Sequence, residues 1–276
     1  MLGLAKSSFY YCPKIPLILK EKRDNEIRDY IEIVHAEFPG YGYRRIREHL
    51  LREGIVINAK CIRRVMHKFK LFPVIWQKFR CITTDSNHAH RVYPNLVKDF
   101  RTTEVNQVWV ADLTYIRIAT CFVYLAVILD LFSRRVIGWA LSKSLEAEVC
   151  LEALRMAVAN RRPATGCIHH SDQGVQYACG DYIKMIEDND IVPSMSRRGN
   201  CYDNAFAESF FKTLKYEEVH LNNYETFADV IERVPRFIED VYNQRRLHSS
   251  LGYVPPAEFE AQASGASINN TDHPVH

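Results

Sequence analysis

The sequence predicts an α/β protein: a mixed sheet with helices on both faces, preceded by a small, basic, all-helical region. Three observations carry this. Residues 107–142 hold three consecutive runs rich in Val, Ile, Tyr, Phe and Trp, the composition of half-buried strands. From residue 145 onward, helix-like and strand-like segments alternate, as they do in layered α/β architectures. The charge is also split. Residues 1–104 carry 20 Lys and Arg against 11 Asp and Glu, net +9, whereas residues 105–276 carry 16 against 22, net −6. A basic segment joined to an acidic one suits a polyanion-binding module attached to a part that works with carboxylates.

The elements follow in order. Pro13 and Pro16 oppose a long helix at the start, so the first helix is expected over 25–38, where Ile27, Tyr30, Ile31, Val34 and Phe38 recur at helical spacing. "PGYG" (39–42) is a turn. Residues 43–54 form a second helix closed by Gly54, and residues 57–72 a third, with Asn58 as its N-cap and Ile62, Val65, Met66 and Phe69 on its apolar face. The second and third helices read as a helix-turn-helix. Residues 41–80 hold eleven Lys and Arg against Glu48 and Glu53. Arg44, Arg45, Arg63, Arg64 and Lys68 are therefore candidates to meet DNA phosphates or enter a major groove; the alternative is a solvated helical face.

The helical region is expected to span 1–73, followed by a linker over 74–104 that contains "TTDSNHAH" and Pro94. Three antiparallel strands are expected at 107–118, 122–133 and 134–142, then a helix at 145–161 with Pro163 just after it. A strand at 167–172, a short helix at 180–190 and a strand at 191–196 lead to a glycine-containing loop at 197–204. A helix at 205–219 and a helical stretch at 226–244, bent near Pro235, complete a core over 105–262. The tail, 263–276, is expected to be disordered.

Several classes are disfavoured. No run of 18 apolar residues exists, and the longest, "FVYLAVILDLF", is interrupted by Asp130, so no membrane span is expected. The N-terminus lacks the apolar segment of a signal peptide, and the expectation is a cytoplasmic protein. The eight cysteines are scattered without a CxxC pair, which points to free thiols rather than a zinc site.

Three acidic residues stand in unusual places. Asp112 interrupts the first strand in "VWVADLTYI", Asp172 ends the fourth strand in "CIHHSDQGVQYA", and Glu208 lies in the first turns of the helix "AFAESFFKTLK". Carboxylates there are costly unless paired, solvated or metal-bound. Converging, they could hold hard divalent cations such as Mg²⁺. Alternatively Asp112 caps a turn, Asp172 begins a turn with Gly174, and Glu208 pairs with Lys212 at i,i+4. Asp130, in "ILDLFS", is a rival carboxylate.

The blocks "NQVWVADLTYI", "LDLFSRRVIGWALS", "HHSDQGVQY", "GNCYDNAFAESFFKTLKYE" and "YNQRRLHSSLGYVPPAEF", with "GYGYRRIREHL" and "CIRRVMHKFKL" upstream, resemble the OrfB-type insertion-sequence transposases. The 35 residues between Asp172 and Glu208 likewise resemble the second spacing of the Asp-Asp-Glu core of retroviral integrases. The resemblance spans most of residues 1–260. It implies an RNase H-like core in which Asp112, Asp172 and Glu208 hold two Mg²⁺, with Mn²⁺ a plausible substitute. It implies cleavage and transfer of DNA strands by in-line phosphoryl transfer, with water or a DNA 3′-OH as nucleophile. An RNase H-like nuclease that only hydrolyses, or a silent DNA-binding regulator, are the alternatives. Lys212 and Lys215, four and seven residues after Glu208, resemble lysines that hold DNA beside the site. Asn204 and His248 match motif positions, and His170 flanks Asp172. The implied partners are double-stranded DNA, further copies of the chain, and an upstream-frame protein that supplies end recognition. No heptad run and no His/His/Cys/Cys zinc pattern is visible.

Overall fold

A computed structural model describes residues 17–73, 90–119, 121–197 and 205–265. The chain divides into two compact units, 1–75 and 76–276.

The first unit is a three-helix cluster: α1 (Leu17–Glu37), α2 (Tyr43–Arg52) and α3 (Ala59–Phe69). The α1 helix begins eight residues earlier than the apolar spacing suggests, directly after Pro16, because its first turns face solvent and carry no periodic apolar signal. Ile27, Ile31, Val34 and Phe38 pack with Ile46, Leu50, Ile62, Val65 and Met66, all buried. Burying each such side chain contributes about 1.5–3 kcal/mol relative to exposure. Asn58 caps α3, accepting from the Lys60 amide at 2.8 Å, as expected. Gly54 adopts φ +79°, the left-handed conformation that favours glycine just past a helix end.

The second unit is built on a five-stranded sheet. Its strands are β1 (Val108–Arg117), β2 (Phe122–Asp130), β3 (Val136–Ser142), β4 (Ile168–Ser171) and β5 (Val192–Met195), in the order β3-β2-β1-β4-β5. The three N-terminal strands are antiparallel, while β4 and β5 run parallel to β1. Helices cover both faces. On one lie α4 (Ala147–Arg161), the one-turn α5 (Val175–Ala178) and α6 (Gly180–Asp188), packed on Trp109, Ala111, Ala126, Ile128 and Ile137. On the other lie α7 (Ala205–Leu214) and α8 (Phe227–Arg236), packed on Val108, Val110, Leu125, Val127 and Leu129 of the sheet. At Gly138 the sheet meets α4 backbone to backbone: a Cβ there would lie 2.3 Å from the Ala153 carbonyl oxygen.

Two expected helices change character midway. The 205–219 helix is α-helical only to Leu214 and π-helical over Lys215–Val219. The 226–244 stretch becomes π-helical at Phe237–Asn243, two residues after Pro235, whose missing amide proton breaks the regular ladder. A further helix, α9 (Pro256–Ala263), was not expected from the sequence. It is anchored by Glu260, which pairs with Arg135 and Arg161 and accepts from the Ser133 hydroxyl. The second half of the expected linker is tied to the sheet, since the Leu96 amide donates to Ser194 Oγ at 2.9 Å.

Candidate active site

Strand β1 is central in the sheet, and Asp112 lies in its interior opposite Val127. In the parallel pairing, Val108, Trp109 and Val110 stand level with Ile168, His169 and His170. The pairing ends there, and β4 itself ends at Ser171, so Asp172 leaves the end of β4 just beyond the part paired with β1. Even-numbered β1 residues face α7, so Asp112 points to the side from which Glu208 comes. Glu208 is exposed in the first turn of α7, where the helix dipole favours a carboxylate, while Ala207, Phe210, Phe211 and Leu214 anchor that helix on the sheet.

Asp112 feels both of the other carboxylates. Burial of Asp112 raises its pKa well above the usual carboxylate range, and the charges of Asp172 and Glu208 raise it further. The Leu113 amide, at 2.8 Å, and the Lys215 charge oppose this. The donor set therefore fits hard cations in type and charge. Among the described residues no three His, Cys, Asp or Glu side chains close on one point to enclose an ion.

Asp130 is structural: fully buried, it accepts from the amides of Asn106, Phe132 and Ser133 at 2.6–3.0 Å and from Ser133 Oγ at 3.2 Å. Asp172 does begin a turn, its Oδ1 accepting from the Gly174 amide at 2.9 Å. Gly174 itself has φ −66°, so the turn does not need a glycine. Lys212 points to the Tyr216 ring, 5.9 Å from its centroid, instead of to Glu208. His169 bonds the Tyr182 hydroxyl at 3.0 Å, and burial lowers its pKa to about 3, so it is a neutral core residue. His170, also buried, contacts Ser194 Oγ at 2.9 Å through Nδ1, tying β4 to β5 beside Asp172.

Two sequence candidates act near α7. Lys215, at the start of the π-helical turn, lies with Nζ 4.5 Å from the Tyr115 ring centroid and acts electrostatically on Asp112. The α-helix that carries Lys212 gives way to a π-helical turn at Lys215. His248 packs its ring edge-on to Tyr242 at 4.8 Å, and Tyr242 packs the same way on Phe210, two residues after Glu208. Asn204 lies outside the described residues.

Comparisons with known proteins give the family of the chain. The integrase core domain family matches residues 102–201 and again 189–256, and the HTH-like domain family matches residues 22–79. The transposase for insertion sequence element IS904 of Lactococcus lactis is 36% identical over 244 residues, 87% of this chain and 96% of that protein. Transposase InsF for insertion sequence IS3A of Escherichia coli K12 is 36% identical over 266 residues, 94% of this chain and 91% of that one. The chain belongs to the insertion-sequence transposase family. A simian T-cell lymphotropic virus intasome structure, 15% identical with a TM-score of 0.50 over 83% of this chain and 74% of that one, supports the integrase-type fold of the transposase.

In the transposase's helix-turn-helix unit, Arg44 and Arg63 are exposed, and Arg45 lies against the Tyr41 ring. Arg64 and Lys68 do something the sequence did not suggest. Both clasp Asp24 of α1, which is 2% exposed: Arg64 donates two bonds of 2.8 and 2.6 Å and Lys68 one of 3.0 Å. Sequence reasoning also missed Arg134. It follows the Asp130 turn with φ +64°, and its guanidinium carbon sits 3.7 Å from the centroid of Phe206, two residues before Glu208. Only its unusual place after a strand-end Asp-Leu-Phe-Ser could have drawn notice. Among the described residues no helix is long and apolar enough to cross a membrane.

Proposed function

We propose that the transposase cuts and joins DNA at a single divalent-metal site formed by Asp112, Asp172 and Glu208. The observation that carries this is the action of the Asp172 and Glu208 charges on a buried Asp112 carboxyl, with Asp112 in the central strand and Asp172 just past the end of the strand beside it. Two Mg²⁺, or Mn²⁺ in their place, suit these oxygen ligands. Bound there, they would neutralise the cluster, activate the attacking oxygen and stabilise the leaving one.

The chain's own residues do the rest. Asp112 is fixed by a central strand, Asp172 by its bond from the Gly174 amide, and Glu208 by a helix seated on the sheet through Phe210 and Leu214. Lys215 sets a cation beside Asp112, where a DNA phosphate would lie, and Lys212 extends that positive edge. No covalent enzyme intermediate is needed: water or a DNA 3′-OH forms the new P–O bond as the P–O3′ bond breaks. Arg44, Arg45 and Arg63 would contact duplex phosphates, while Arg64 and Lys68 mainly hold Asp24. His248 and His170 support the elements that carry Glu208 and Asp172. The substrates are element ends and target DNA, which call for a homo-multimer on DNA, for end recognition from an upstream-frame protein, and for a site of action at the bacterial nucleoid.

The test supplies a pre-cut element end bearing a free 3′-OH, target DNA and Mg²⁺. Joined product from the native chain is expected, with Asp112→Asn, Asp172→Asn and Glu208→Gln each inactive yet still binding DNA. Hydrolysis products alone would favour a nuclease, and binding without turnover under any metal would favour a silent regulator.

A further inference from the structure

A cavity of about 470 Å³ opens between the end of β1 and the π-helical turn that follows α7. Tyr115 and Ile118 form apolar wall; Arg117, Lys215 and His220 supply basic groups and Asn223 an amide. No Asp or Glu among the described residues lines it. The cavity shares Lys215 with the candidate active site, and Tyr115 lies three strand residues beyond Asp112, about 10 Å along β1. Arg117 and Asn223 are exposed and commit their side chains to no partner among the described residues.

The chemistry narrows the ligand. The volume sits at the low end of the roughly 300–1,000 Å³ of small-ligand pockets, which is room for one nucleotide and not for a duplex. Cations without a single carboxylate favour a phosphorylated group, while apolar walls favour the face of a planar ring. An amide at the mouth can read the ring's hydrogen-bonding edge. Burial, with the Lys215 charge, lowers the pKa of His220, so its ring is neutral near pH 7 and can both donate and accept. A base leaves the stack most cheaply where pairing is already weak, as at a strand end.

We propose that this cavity takes one unstacked nucleotide of the DNA strand whose neighbouring phosphate lies at the carboxylates. The proposal rests on the DNA strand-transfer reading of Asp112, Asp172 and Glu208. It assigns the cavity the role of fixing the strand's register, so that one phosphodiester is presented to the site.

The experiment uses the full chain and a duplex oligonucleotide of the element end with a two-nucleotide 3′ overhang. The terminal bases are removed one at a time as abasic sites, and binding is followed by fluorescence anisotropy without divalent metal. Loss of the base at a single position is expected to weaken binding about tenfold, with neighbouring positions much less affected. 2-Aminopurine at that position should brighten on binding. Ala119→Trp, which fills the cavity from an exposed position, should remove both the single-position sensitivity and the brightening while leaving affinity for a blunt duplex unchanged. Asn223→Trp gives a second filling variant should the first misfold. Equal sensitivity at all positions, or the same single-position sensitivity in both filled variants, would overturn the proposal. Failure of the strand-transfer reading is seen separately, as an absence of joined product from the same ends, and does not depend on this binding pattern.

Discussion

Asp24→Asn should move the stability of the helix-turn-helix unit and its affinity for DNA in opposite directions. Asp24 is 2% exposed and accepts three charge-assisted bonds, two from Arg64 at 2.8 and 2.6 Å and one from Lys68 at 3.0 Å. Breaking a fully buried pair costs about 3–5 kcal/mol. Arg64 and Lys68 are each 42% exposed, so solvent takes up their freed charges, and the cost falls to about 1–2 kcal/mol. In a unit of this size that lowers the melting temperature by roughly 4–15 °C. The Arg64 guanidinium, hydrogen-bonded to Asp24, holds its carboxyl well below the usual carboxylate range. A depressed folded pKa gives stability that is present above the ordinary value near 4 and is lost as pH falls, so native chain and variant should converge in acid. Two cations meanwhile become available to phosphate. Each new phosphate contact steepens the dependence of log K on log salt by about 0.9, so the slope should rise by up to about 2. Thermal unfolding of the full chain and duplex titrations between about 50 and 200 mM salt measure both effects. Weaker DNA binding by Asp24→Asn would refute the reasoning, because it would mean that Asp24 aims Arg64 and Lys68 at DNA instead of holding them from it.

Three further outcomes are expected. Asp112→Asn should melt higher than the native chain in metal-free buffer at neutral pH, because a carboxyl with a raised pKa destabilises the fold once ionised; that burden begins above the ordinary carboxylate pKa and is complete above the raised one. Added Mg²⁺ should then stabilise the native chain and leave Asp112→Asn unmoved in a thermal shift series. Gly138→Ala should destabilise by about 1–3 kcal/mol or more, since its Cβ would lie 2.3 Å from the Ala153 oxygen and 2.8 Å from the Ala157 amide nitrogen, and denaturant unfolding reads this directly. Arg134→Ala should cost only about 0.5–2 kcal/mol of stability yet lower kcat more than KM, with faster hydrogen exchange in the first turn of α7 and partial rescue by Arg134→Lys.

Strands β1 to β3 and the helix after them could be read from the chain because their signals are local: β-branched runs, helical apolar spacing and a following proline. The proposed carboxylate triad was suggested by spacing and by motif blocks, not by any one segment. What stayed hidden depends on partners far away in sequence. Asp24 sits on a helix among many charges and reads as solvated, but its partners lie 40 and 44 residues on. Helix α9 carries little apolar periodicity, and Glu260 within it is held by Ser133, Arg135 and Arg161. The π-helical turn that begins at Lys215 has no local sequence mark.

Asp112 and Asp130 show the same division within adjacent strands. Both interrupt apolar β-sequence, and composition alone gives no reason to prefer either. Burial raises the pKa of both. The difference is in what satisfies the oxygens. Asp130 receives three amides and a hydroxyl, so the fold has already compensated its charge and used its acceptors to close the β2–β3 turn. Asp112 receives one amide and feels the Lys215 charge but faces two further carboxylates, so the fold compensates it far less than Asp130. A buried carboxylate saturated by its own backbone builds structure; one surrounded by like charge and short of donors is poised to hold a cation.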